Sequence, residues 1–248
     1  MSYRFSLERN NQEDLASGRV LYNQHGATAF PVRLASEIFQ WIKQELTRRG
    51  NAGPYHLYDP CCGGGYLLTS LGFLHGDDLH AITASDVNPA AVELAERNLS
   101  LLTQQGMEQR IGQIRDLYEQ FGKPSHKDAL ESAVRLAAIV DSLHRTPIID
   151  CFEADATKPL DHRNGKGKLD MIITDVPYGN IVDWNTAAGD PVKELLDHAV
   201  PMLAPVSLVA IVSSKEQKIA HDGYNRAGHW KLGKRRITVL ELKTESPS

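Results

Sequence analysis

No stretch of this 248-residue sequence stays apolar for the roughly 20 residues that a bilayer span requires. The opening residues, Met1 to Ser6, contain no apolar core of a secretory leader, so a cytoplasmic protein is expected. Cysteine is scarce. The three present, Cys61, Cys62 and Cys151, form no CxxC pair, which argues against a disulfide framework or a zinc ribbon. They read as small buried hydrophobes in a reducing compartment. The ten histidines show no HExxH spacing, so no metal site is expected. Charge of one sign is also lacking: 27 Lys and Arg stand against 31 Asp and Glu, and a net charge of −4 argues against a general polyanion binder. Glycine (19) and proline (12) are at ordinary levels, which excludes a fibrous or low-complexity chain. Neither a P-loop nor G-x-G-x-x-G is found, so nucleotide triphosphates and dinucleotides are poor ligand candidates.

What is present is 42% apolar residues, enough for one full-sized core, arranged in alternating strand-like and helix-like segments. A helix reads from Pro31 to about Arg49 on the stripe Leu34, Ile38, Trp41, Ile42 and Leu46, and Gly50 stops it. Short strands follow at His56–Tyr58, ending at Asp59, and at Leu79–Ser85, ending at Asp86. Asn88-Pro89 opens a helix through Leu102. Helical spacing resumes in two runs between Gln105 and Arg145, punctuated by Pro124 and Ser125. This insertion reads as core packing, with a recognition cap as the alternative. Further strands are expected at Pro147–Phe152, Leu169–Thr174 and Val206–Ser213, with a helix capped by Asp190-Pro191 before the last. Ile237–Leu242 alternates like a terminal antiparallel strand. No repeat or linker divides the chain, so one domain over 1–248 is expected, with an N-terminal extension and first helix in 1–50 and a helical insertion in 105–145.

Four strand ends carry the chemistry. Asp59-Pro60-Cys61-Cys62-Gly63-Gly64-Gly65 follows the first strand, where glycines such as Gly63 and Gly65 admit close approach of a ligand. Asp86, at the end of the second strand, suits the two hydroxyls of an adenosine ribose. Asp155 and the Ala156 amide, after the third, suit the adenine amino group and ring. The fourth strand ends in Thr174-Asp175-Val176-Pro177-Tyr178-Gly179. An amine on a base ring is a poor nucleophile because its lone pair is delocalised. The Asp175 carboxylate and the Val176 carbonyl form an acceptor pair for its hydrogens, Pro177 stiffens the loop, and Tyr178 offers a stacking face.

At these positions the sequence resembles the class I S-adenosylmethionine-dependent amino-methyltransferases, and among them the RNA guanine-N2 enzymes. The residues that carry the likeness are the Asp59–Gly65 turn, Asp86, and Thr-Asp-x-Pro-Tyr-Gly at 174–179. Where that class commonly has Asn/Asp-Pro-Pro-Tyr, this chain has Val176 in place of the first proline. Gly26–Pro31 resembles the family segment that closes over the methionine end of the cofactor. The double cysteine and the Asp-Val-Pro-Tyr variant are similar to the avilamycin-resistance rRNA methyltransferases. The resemblance implies a Rossmann-like α/β fold, with a mostly parallel seven-stranded sheet, helices on both faces and an antiparallel C-terminal strand. It implies S-adenosylmethionine bound at Asp59, Cys61, Gly63, Gly65, Asp86, Asp155 and Ala156. A guanosine of 23S rRNA would be modified at Asp175, Val176, Pro177 and Tyr178, on naked RNA or on the large ribosomal subunit, by a monomer that makes no membrane contact. Protection against an orthosomycin antibiotic would follow.

The segment Lys215–Arg236 has seven cations against two carboxylates, and a second basic turn spans His162–Lys168. Gly223, Gly228 and Gly233 suggest a flexible loop in which Trp230, Lys234, Arg235 and Arg236 contact RNA by stacking and through phosphates. The bland alternative anchors Trp230 in the core and leaves the cations solvated. Competing functions are DNA adenine-N6 or protein glutamine methylation, an RNA-binding ribosome-assembly protein without turnover, and an NAD-dependent oxidoreductase. The intact acidic strand ends argue against the assembly protein, and the glycine spacing argues against the oxidoreductase.

Overall fold

The computed structural model describes residues 4–5, 12–16, 18–23, 30–160, 167–177 and 190–243. Its centre is a seven-stranded sheet in the order β3-β2-β1-β4-β5-β7-β6. The strands are β1 (Tyr55–Asp59), β2 (Leu79–Asp86), β3 (Ile148–Glu153), β4 (Leu169–Asp175), β5 (Leu203–Ser214), β6 (Tyr224–Leu232) and β7 (Arg235–Leu242). β1 to β5 pair in parallel, and β7 runs against both β5 and β6. The expected architecture is therefore present. The order reverses at β1 and β4, and a ligand crevice belongs outside the carboxyl ends of the strands at such a point.

The central strands are buried on both sides, as near-continuous apolar runs require. Alternate residues feed two cores. Leu57, Ile82, Ile173, Val212 and Ile237 join the core under α1 (Val32–Arg48), α2 (Tyr66–His75) and α3 (Pro89–Ser100). Tyr58, Ile172, Ile211 and Leu240 face the opposite core under α6 (Pro191–Ala199). Side-chain caps start two of these helices where expected: Asn88 accepts from Ala90 N–H, and Asp190 accepts from Val192 and Lys193 N–H.

The insertion is a helical hairpin, α4 (Gln104–Phe121) and α5 (Pro124–Ser142). Met107, Ile114, Ala133, Leu136 and Val140 bury one side into the first core, so core packing accounts for that face.

One expectation fails. The glycine-rich basic segment is not a flexible loop: Tyr224–Leu232 forms β6, the edge partner of β7. Gly233, at φ 59°, turns the chain into β7, and Gly228 lies flat against Trp41, where a Cβ would come within 2.7 Å of the indole.

Candidate active site

Strand register lines up the acidic residues. Asp86, Asp59 and Asp175 end β2, β1 and β4, three adjacent strands. Each has the parity of the residues that enter the first core: Ala84, Leu57 and Ile173 lie two positions earlier. The three carboxyls therefore share one edge and one face of the sheet.

The glycines after Asp59 do different jobs. Gly63 has φ 51°, and a Cβ there would meet nothing within 4 Å, so it opens onto the crevice. Gly65 has φ 74°, but its missing Cβ would press on the Ala95 backbone at 3.0 Å. Gly65 thus serves helix packing, and Gly63 is the one open to a ligand. The loop is tied to β2: Cys62 N–H donates to the Ser85 carbonyl (2.9 Å) and Gly63 N–H to Asp86 Oδ2 (2.9 Å). Asn88 N–H donates to Asp86 Oδ1 (3.0 Å). Each Asp86 oxygen already holds one backbone donor, and its remaining lone pair is what a ligand can use. Next to Asp86, the exposed Val87 offers an apolar surface that the sequence reading missed.

Asn98 was also missed. It is fully buried in α3 and clamps two loops, donating to the carbonyls of Gly64 (2.8 Å) and Tyr22 (3.1 Å) while accepting from Tyr22 N–H (2.8 Å). An amide inside an otherwise apolar helix face was the available signal.

Burial pushes the Asp59 carboxyl up to about 7. The Thr174 hydroxyl and the Cys61 N–H (3.1 Å) work against the shift, and the Asp86 and Asp175 charges add to it. Burial likewise raises Asp175 to about 6, against the pull of the Arg235 guanidinium. Asp175 Oδ1 is buried and accepts no hydrogen bond among the described residues. Val176 is pinned by its N–H to the Val212 carbonyl (3.0 Å), with its side chain in the second core, and Pro177 follows half-buried. Tyr178 and Gly179 lie outside the described residues, as do residues 26–29 of the expected closing segment and 162–166 of the basic turn.

Asp155 is less free than expected. Its Oδ1 accepts from Thr157 N–H (2.9 Å) and the Thr157 hydroxyl (2.6 Å), and Lys158 Nζ sits 3.0 Å from Oδ2. Burial opposes ionisation there, but these partners hold the carboxyl below its ordinary value. Ala156 packs on the second core. Burial raises the Cys61 thiol, and a hydrogen bond with Cys151 raises Cys62, so neither is an activated nucleophile. Among the described residues no cluster could hold a metal ion, and no helix is long and apolar enough to cross a membrane.

The four residues expected to touch RNA separate. Trp230 is half-buried with its ring 5.5 Å from Trp41, so it anchors the hairpin. Lys234 is exposed, and Arg236 donates to the Lys215 carbonyl. Arg235 shares the face of Trp230 but lies at the strand end, its guanidinium 5.6 Å from the Phe30 ring and near enough to Asp175 to lower its carboxyl.

Comparison with known proteins agrees with this geometry. A family model described as rRNA methyltransferase AviRa matches residues 1–235. A Streptomyces viridochromogenes protein named 23S rRNA (guanine(2535)-N(1))-methyltransferase is 39% identical over 242 residues, covering 96% of this chain and 95% of that one. Two structures titled rRNA methyltransferase aviRa, from the same organism, superpose at 37% identity. One has a TM-score of 0.87 over 97% of this chain and 96% of the other. The second has a TM-score of 0.85 over 96% of each.

Proposed function

We propose a function from one premise: the chain belongs to the AviRa family of rRNA methyltransferases. It methylates a guanosine of 23S rRNA, acting as a cytoplasmic monomer, and so protects the ribosome against an orthosomycin antibiotic. The atom modified is the ring nitrogen N1, as in the name of the Streptomyces relative, and not the exocyclic amine first suggested by the target loop.

The observation that carries this choice is Asp175. N1 bears a proton that must leave before its lone pair is available. A carboxyl whose buried Oδ1 has no partner among the described residues, with a pKa near 6, suits a general base at neutral pH. An exocyclic amine needs only an acceptor.

The donor set fits S-adenosylmethionine. Three carboxylates share one crevice edge, two of them raised by burial, and Gly63 leaves space for a ligand. A sulfonium and an ammonium would supply the missing positive charge. S-adenosylmethionine supplies an activated methyl on a sulfonium sulfur that leaves as a neutral thioether. Asp86 and Asp59 hold it, Asp155 and Ala156 border its adenine, and Asp175 faces the target base. Orientation then does most of the work.

Asp86→Ala should weaken S-adenosylmethionine binding by about 1–3 kcal/mol, the usual loss for hydrogen bonds to a charged group. Asp86→Asn retains an acceptor for Gly63 N–H and separates loop support from ligand contact. Calorimetry giving wild-type affinity for a folded Asp86→Ala protein counts against this placement.

The function itself is tested with tritiated S-adenosylmethionine and separate rRNA, tRNA, DNA and protein pools, followed by nucleoside analysis. Label in 1-methylguanosine from 23S rRNA is expected. Label in adenine of DNA or in protein glutamine favours those rival functions, and no label in any pool favours a non-catalytic assembly role.

A further inference from the structure

Arg235 occupies an unusual place. β7 runs against β5, so its first residue lies where β4 and β5 end. Asp175 pairs with Val212, and Arg235 pairs with Ser214 two residues on. β4 and β7 flank β5, which sets them about 10 Å apart, room for one heterocycle between their side chains. Ile173 before Asp175 and Ile237 after Arg235 enter the same core, so both side chains leave the sheet on one face. Arg235 Nε is buried and donates no hydrogen bond among the described residues. A buried Nε donor left idle on a half-buried arginine is costly unless a partner arrives.

We propose that Arg235 donates to O6 of the target guanine and stabilises the negative charge that develops there as the N1 proton passes to Asp175. This rests on the guanine-N1 function above. In that transfer the N1–H bond breaks, its electron pair stays on the base, spread over N1, C6 and O6, and the proton goes to Asp175 Oδ1. The anionic base then takes the methyl at N1 and returns to neutrality. A guanidinium is the common reader of the O6 edge of guanine, and adenine, with an amino group at that position, offers two hydrogens instead. Arg235 therefore also selects guanine over adenine. Its neighbours Lys234 and Arg236 remain the candidates for phosphate contact.

The test compares wild type, Arg235→Gln and Arg235→Lys on large-subunit rRNA transcripts containing guanosine or 6-thioguanosine. Arg235→Gln should lower kcat by about 10²–10³-fold, the loss typical of one preorganised donor to a developing oxyanion. KM and the salt slope of RNA binding, measured without turnover, should stay unchanged, and Arg235→Lys should recover part of the rate. Sulfur carries the charge better than oxygen, so the penalty should shrink on the thio substrate. The acid limb of the rate profile should move to higher pH in Arg235→Gln. Among the described residues the charged neighbour left to Asp175 would then be the Asp59 carboxyl, without the cation that lowers its pKa. An unchanged kcat, or a loss confined to KM with the salt slope smaller by about one, makes Arg235 a phosphate contact and overturns the proposal. If wild-type product proves to be N2-methylguanosine, the guanine-N1 function fails first. An N1 product with a fully active Arg235→Gln removes this inference alone.

Discussion

Asp175→Asn should lower methyl transfer by about 10²–10⁴-fold, the range for a general base, with the protein folded and its cofactor affinity near wild type. The substitution keeps the shape of the side chain and one acceptor oxygen but cannot take a proton. Wild-type rate should fall as pH drops through about 6, because protonation of Asp175 removes the base. In the variant that acid limb should vanish along with the rate. Single-turnover kinetics on 23S rRNA between pH 5 and 8 reads both features. An exocyclic amine would be served nearly as well by the amide oxygen. A variant within about tenfold of wild type therefore excludes N1 proton abstraction by Asp175.

Asp59→Asn should make the ligand-free protein more stable at pH 8 while weakening cofactor binding. Asp59 is buried, and its carboxyl titrates near 7 in the folded state against an ordinary value of 3.8. Between those values the folded state keeps a proton that the unfolded chain has lost, so stability falls as pH rises through the window. Above about pH 7 the penalty is complete, on the order of a few kcal/mol from the size of the shift. Asn removes it, keeps an acceptor for Cys61 N–H, and can donate to the Thr174 hydroxyl. Melting at pH 8 should rise by several degrees, and the gain should shrink towards pH 4. A melting temperature that is lower at both pH values would mean that Asp59 supports the fold rather than the ligand.

The parts of the fold that were legible in sequence are those with local chemical causes. Asn88 and Asp190 cap the helices they were expected to cap, and the apolar runs ending at Asp59, Asp86 and Asp175 are buried strands. β6 was hidden because it is an edge strand: Asn225, Arg226 and His229 face solvent, and charge on an edge deters pairing with other chains. Its inward contacts, Trp230 and Gly228 on Trp41, come from a helix almost 190 residues earlier, and periodicity carries no trace of them. Asp155 looked like a free acceptor because Thr157 and Lys158, two and three residues on, satisfy it only once the turn has formed. Arg235 was read as one of three equivalent cations. Alternation along β7 separates it from Arg236, and Lys234 lies in the turn before; the terminal strand was expected only from Ile237, so Arg235 fell outside it.

The β6–β7 hairpin also sorts charge in space. Seven cations and two carboxylates lie in Lys215–Arg236, so the rest of the chain is more negative than the net −4 implies. The hairpin itself, with Arg226, Lys231, Lys234, Arg235 and Arg236 against Glu241, is a positive feature on a chain that is negative overall. A polyanion approaching it exerts a torque that swings the hairpin forward and repels the other faces. Since the hairpin borders the crevice through Arg235, the pose that long-range attraction selects is also the one that brings a target nucleotide to the crevice, before any base has been read.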